Sequence, residues 1–207
     1  MKFVLFVEGY TEAKALPEFL KKWLDPKLRS PVGIQPVRFN GWSELLSDVT
    51  QKARMYLNGS SQNNIIAVIS LLDLYGPTFY PEDKTQSDER YAWGKNKIER
   101  DVNEERFFHF FAVHEIEAWL LSQPDIFPEN IKFPSKIANP EMINFNEPPA
   151  KLLDRLYQKY VKRSYKKVVN GGELFKRLDP DFAYKKCPSL QKLLDKMLSL
   201  AQNRGNA

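Results

Sequence analysis

Two uninterrupted apolar runs limit what this chain can fold into: Phe3-Val4-Leu5-Phe6-Val7 and Ile65-Ile66-Ala67-Val68-Ile69-Ser70-Leu71-Leu72. A strand with one wet face alternates apolar and polar residues, whereas a strand covered on both faces does not. Both runs fall well short of the roughly 18 residues that cross a membrane. Glu8 closes the first and Asp73 the second. They therefore predict strands of a sheet buried on both sides. The first run superficially resembles the core of a signal peptide, but Glu8 interrupts it too soon, so the strand reading prevails. The expected location is the cytoplasm, with no membrane partner.

The intervening segments supply helices. Leu16, Phe19, Leu20, Trp23 and Leu24 recur at helical spacing, predicting a helix from Thr11, as its cap, to Leu24, with a kink or restart at Pro17. A strand at Ile34–Phe39, a helix from Ser43 to Leu57 and a turn at 58–61 follow. Residues 74–90 read as a polar loop, 91–105 as an exposed charged helix, Phe107–Val113 as a strand, and His114 or Glu115 to about Leu121 as a helix. This alternation predicts an α/β fold with an about four-stranded, mainly parallel sheet flanked by helices. Prolines 124, 128, 134, 140, 148 and 149 then mark an irregular connector. The expected division is an α/β domain over 1–123 and, over 124–207, that connector plus a helical basic C-terminal extension packed on the domain. Helices are expected there at about 150–160, 173–178 and 189–200, with 203–207 frayed.

Charge is divided in the same way. Residues 151–207 hold 14 basic and five acidic side chains, and residues 1–150 hold 17 and 21, within a net charge of +5. A basic lobe can neutralise phosphates, and clustered carboxylates can hold a hard divalent cation. One cysteine, Cys187, and two histidines, His109 and His114, exclude a disulfide framework, a multi-cysteine zinc site and a three-histidine metal site. His109 reads as a core or edge-strand residue. No GxxxxGK[ST] sequence is present, which argues against a P-loop NTPase.

In a parallel sheet, ligands collect beyond the carboxyl ends of the strands. Three acidic groups fall there: Glu8-Gly9-Tyr10-Thr11-Glu12, then Asp73-Leu74-Tyr75, then His114-Glu115-Ile116-Glu117. Gly9 would permit a tight turn. Carboxylates that converge must be protonated or bridged by a cation, so the pattern predicts raised pKa values or bound Mg²⁺. Residues two apart on a helix do not share a face, so one of Glu115 and Glu117 should point at the site.

The Glu8-Gly9-x-Thr11-Glu12 turn and the later Asp73 resemble the two acidic signatures of Toprim domains, found in topoisomerases, primases and overcoming-lysogenization-defect (OLD) nucleases. With Asp73-Leu74-Tyr75, His114-Glu115-Ile116-Glu117-Ala118-Trp119-Leu120-Leu121, Pro149, Tyr165-Lys166-Lys167 and Cys187-Pro188, the chain more closely resembles the family catalogued as domain of unknown function 4276, regarded as Toprim-like. The resemblance implies metal-dependent phosphodiester chemistry with Mg²⁺ or Mn²⁺. Glu8 would be a metal ligand or general acid/base and Asp73 a metal ligand. Tyr75 stands where the motif has a second aspartate, and Glu115 or Glu117 would replace that ligand. Glu117 is placed in the catalytic set with Glu8 and Asp73, and Glu12, Tyr75 and His114 are accessory candidates.

Lys162, Arg163, Lys166 and Lys167, interleaved with tyrosines, suit contact with phosphates and bases. The resemblance implies that Lys166 or Lys167 faces the site. The leading expectation is thus a Mg²⁺-dependent Toprim-like nuclease or phosphoryl-transfer enzyme acting on nucleic acid, DNA before RNA, in anti-phage defence with a partner ATPase. The alternative is a non-catalytic subunit that binds nucleic acid or a partner and whose acidic site is degenerate. A small-molecule phosphate enzyme is a third reading.

Overall fold

The computed structural model describes residues 1–133, 137–142 and 147–204. Four strands, β1 (Lys2–Val7), β2 (Gly33–Arg38), β3 (Ile65–Asp73) and β4 (Phe107–Ala112), form one parallel sheet in the order β2-β1-β3-β4. The apolar runs became its two central strands. Every residue of β3 is buried, as is every residue of β1 after Lys2. Successive side chains point to opposite faces. Phe3, Leu5, Val7, Ile69 and Leu71 join one core layer with Leu16, Phe19 and Leu20 of α1 (Tyr10–Leu24) and Leu190 and Leu194 of α8 (Pro188–Arg204). Val4, Phe6, Val68 and Leu72 join the other with Leu45 and Val49 of α2 (Trp42–Asn58) and Ile98 of α3 (Ser87–Val102).

Several local expectations are corrected. Helix α1 runs unbroken through Pro17. Leu16 before the proline and Phe19 and Leu20 after it are anchored in one core layer, which holds both halves on one line despite the hydrogen bond that proline removes. Thr11 is buried within the first turn; the cap position belongs to Gly9, whose extended φ of −141° needs no glycine freedom. What Gly9 supplies is room, because a Cβ there would collide with the Glu12 carboxylate. Helix α3 starts at Ser87, inside the expected loop, because Gln86 and Glu89 form a reciprocal capping box. The helix after β4 shrinks to α4 (Glu117–Leu120).

The C-terminal part contains α5 (Pro149–Leu156), α6 (Gly172–Arg177), α7 (Pro180–Lys186) and α8. Two five-residue π-helical turns, Tyr157–Val161 and Lys167–Gly171, join α5 to α6. Helix α7 was not anticipated, although Asp179 caps it by accepting from the Asp181 N–H, with Pro180 at its first position. Helix α8 extends to Arg204, so 203 and 204 are ordered as helix; Pro134 and 205–207 lie outside the described residues. No described helix is long and apolar enough to cross a membrane.

Candidate metal centre at the sheet rim

From β1, the chain steps to β2 on one side and to β3 on the other, so a crevice opens beyond the ends of β1 and β3. Glu8 and Asp73 stand at that crevice. Glu8 Oε1 accepts the backbone N–H of Asp73 at 3.1 Å and ties the two strand exits together. Asp73 Oδ1 accepts the N–H of Ile116 at 3.0 Å, fastening the exit of β4 to that of β3. The bend after β4 carries Glu115 and Glu117 into the same place. One carboxylate oxygen from each of Asp73, Glu115 and Glu117 lies within 4.8 Å of the others, and all three residues are buried.

Both glutamates therefore enter the centre, contrary to the helical-spacing argument. Helix α4 begins only at Glu117, so Glu115 lies before it and the periodicity does not apply. Their surroundings differ. Glu115 Oε2 accepts the N–H of Ala150 at 2.8 Å in the first turn of α5, and its Oε1 lies 3.3 Å from Lys167 Nζ. The Glu117 carboxylate is 1% exposed and makes no hydrogen bond among the described residues; Lys167 Nζ lies 3.3 Å from its Oε2.

Lys167 is the cation of the centre. Its Nζ also lies 3.8 Å from Asp73 Oδ2. Burial alone would lower its pKa, but Glu117, Asp73, Glu115 and Glu12 together hold it above the ordinary lysine value. One ammonium does not offset this much negative charge. Burial, reinforced by neighbouring carboxylates, pushes Glu8 and Glu117 each up to about 7 and raises Asp73 and Glu12, with Lys167 pulling the other way on all four.

The other candidate residues lie around this centre or away from it. Glu12 is buried in the first turn of α1 and interacts electrostatically with Lys167 and Glu115. Tyr75 is 37% exposed at the rim, its N–H donating to the His114 carbonyl at 2.8 Å. His114 is buried, which lowers its pKa, with Glu115 acting to raise it. Of Lys166 and Lys167, Lys167 faces the acids. Lys162, Arg163 and Lys166 are exposed, and Lys162 Nζ donates to the Lys159 carbonyl at 3.0 Å. His109 lies fully buried in edge strand β4, beside Ser70.

Tyr165, read in the sequence only as part of Tyr165-Lys166-Lys167 and not as a site residue, also stands beside the centre. Its buried hydroxyl has no hydrogen-bond partner among the described residues, and burial followed by Glu117, Glu115 and Glu12 raises its pKa. A Cβ on Gly171 would come within 2.8 Å of that hydroxyl, so the turn carrying Lys167 closes tightly there only with glycine. The spaced tyrosines after α5 carried the signal: Tyr157 and Tyr165 pack edge to face, with centroids 5.4 Å apart.

A sequence model of the family described as Domain of unknown function (DUF4276) matches residues 7–198. The chain belongs to this family. All the acids of the centre and Lys167 fall within the matched DUF4276 span. No curated protein matches the chain. Among solved structures, it is similar to the C-terminal region of the Xanthomonas campestris pv. campestris OLD protein phased with platinum, at 16% identity over 95% of each chain with a TM-score of 0.38. The same region phased with iodine gives 16% identity over 94% of this chain and 96% of that one, with a TM-score of 0.39.

Proposed function

We propose that this DUF4276 chain is a nuclease, or a related phosphoryl-transfer enzyme, that uses Mg²⁺ or Mn²⁺ on nucleic acid. The observation that carries the reading is the convergence of Asp73, Glu115 and Glu117 with one lysine among them. The donor set fits a hard cation: three carboxylates, one of them buried without a hydrogen bond. Asp73 and Glu117 would hold the ion, with Glu115 sharing it between the metal and α5. Such an ion supplies positive charge against a scissile phosphate and lowers the pKa of an attacking water.

The chain's own residues have distinct tasks in this reading. Glu8, poised at about 7, can exchange a proton near neutral pH. Lys167 can turn from the carboxylates to an incoming phosphate. Glu117 supplies the carboxylate that Tyr75 does not. The Toprim resemblance extends the proposal to DNA before RNA, to an ATPase partner and to phage defence.

Incubation of plasmid, single-stranded DNA and RNA with Mg²⁺, Mn²⁺ or EDTA tests it. Cleavage should need the metal and should be lost in Glu117→Gln and Glu8→Ala; undiminished cleavage in both variants rejects the assignment. Lys167 amid the acids also favours a second reading, a binding subunit whose centre is occupied by that ammonium instead of a metal ion. Calorimetry that finds no Mg²⁺ or Mn²⁺ binding selects it.

A further inference from the structure

Neighbouring residues of one turn look into two different places. Lys167 reaches the acidic centre, while Lys166 lines a cleft of about 690 Å³ together with Arg163, Arg177, Tyr157 and Glu173. That size lies within the range of small-ligand sites, roughly 300–1,000 Å³. Glu173, the acid of the lining, is already paired with Lys176 at 2.7 Å. The side chains of Arg163 and Lys166 make no hydrogen bond or ion pair among the described residues. The cleft thus has an excess of positive charge with free donors. Its wall includes the buried Tyr157 ring and Leu174 side chain.

Cations beside an aromatic and aliphatic wall match an anion attached to a flat, weakly polar body. We infer that this cleft binds a nucleoside phosphate, the phosphate on Arg163 and Lys166 and the base against the Tyr157 wall. The occupant is either a free nucleotide or one unit of a strand. The Lys166 N–H donates to Asn170 Oδ1 at 2.8 Å, which braces the turn under the cleft. Binding here needs no metal, so the inference stands apart from the chemistry at the acidic centre.

The test is calorimetric titration of the full chain in EDTA. The probes are adenosine 5′-monophosphate, a single-stranded oligothymidylate of about 12 nucleotides, and a polyglutamate peptide. The variants are Arg163→Ala/Lys166→Ala and, as a control of charge alone, Lys185→Ala/Lys192→Ala. All four side chains are exposed, so both variants should keep the parent Tm. The first pair should weaken binding at least about 10-fold and reduce the salt slope for the oligonucleotide by about 1.4. The control should change binding by less than about twofold. Comparable loss with the monophosphate identifies a free nucleotide, and loss with the oligonucleotide alone identifies a strand. Tighter binding of polyglutamate, equal loss in the control pair, or no binding of either nucleotide probe overturns the inference.

Discussion

Strands β3 and β4 carry two buried polar sites three residues apart, and the sites follow opposite rules. At Ser70 and His109, which sit opposite each other in the ladder, His109 Nδ1 lies 3.0 Å from Ser70 Oγ and the ring packs edge-on against Phe111. Burial, then the Lys95 charge, pushes His109 down to about 3, so the pair is neutral. The His109 backbone is finished by α3: its N–H donates to Glu99 Oε1 at 2.8 Å and its carbonyl accepts from Lys95 Nζ at 3.1 Å. That covers the sheet edge. At Asp73, Glu115 and Glu117 the same burial surrounds several acids with one lysine. Ser70 and His109 bury polarity without charge, although His109 Nε2 has no hydrogen-bond partner among the described residues. The rim instead keeps ionisable acids beside a single ammonium, at the cost of raised pKa values, and its oxygen donors could hold a metal ion.

The largest effect is expected from Asp73→Asn, which should cut metal-dependent cleavage about 1,000-fold, while Ser70→Ala, equally buried and three residues away, stays within about twofold. Equal losses in a gel cleavage assay would erase the distinction. Next, His109→Ala should cost about 3 kcal/mol in urea unfolding, through its cavity and the orphaned Ser70 hydroxyl, and leave Mg²⁺ affinity unchanged in calorimetry. Lys167→Met should lower the Tm of the metal-free protein by about 5 °C at pH 8 and by far less at pH 5, where the acids can protonate; saturating Mg²⁺ should restore it.

The smallest effect lies in the pH dependence of metal-free stability. Glu8 and Glu117 are raised from 4.5 to about 7, so the folded state holds the extra protons. Their contribution is complete below pH 4.5 and is lost as pH rises through 7. His109 is lowered from 6.5 to about 3, so its contribution is present above pH 6.5 and is lost as pH falls towards 3. Urea titrations from pH 4 to 8 should therefore show Glu117→Gln flattening the decline on the alkaline side and His109→Gln flattening the decline on the acid side. Mg²⁺ should reverse the first slope, because ligands must be deprotonated to bind it.

The apolar runs made β1 and β3 legible, and the acid at each strand end followed from where a parallel sheet presents its ligands. Glu115 and Glu117 were individually visible, but their convergence was not, because it depends on where α4 begins. Asp73 decides that by holding the Ile116 N–H, a contact across 43 residues. Lys167 looked like its exposed neighbours in a basic cluster. Its inward direction comes from a π-helical turn that Gly171 and Tyr165 close, and no periodicity announces such a turn. Helix α7 was legible and overlooked, since Asp179-Pro180 is an ordinary cap-and-first-turn pair. The start of α3 was harder, because glutamine is an uncommon cap.

The ammonium of Lys167 arrives on the same chain as the carboxylates it meets. Folding by itself therefore brings a counter-ion to these buried acids, with nothing recruited from solution.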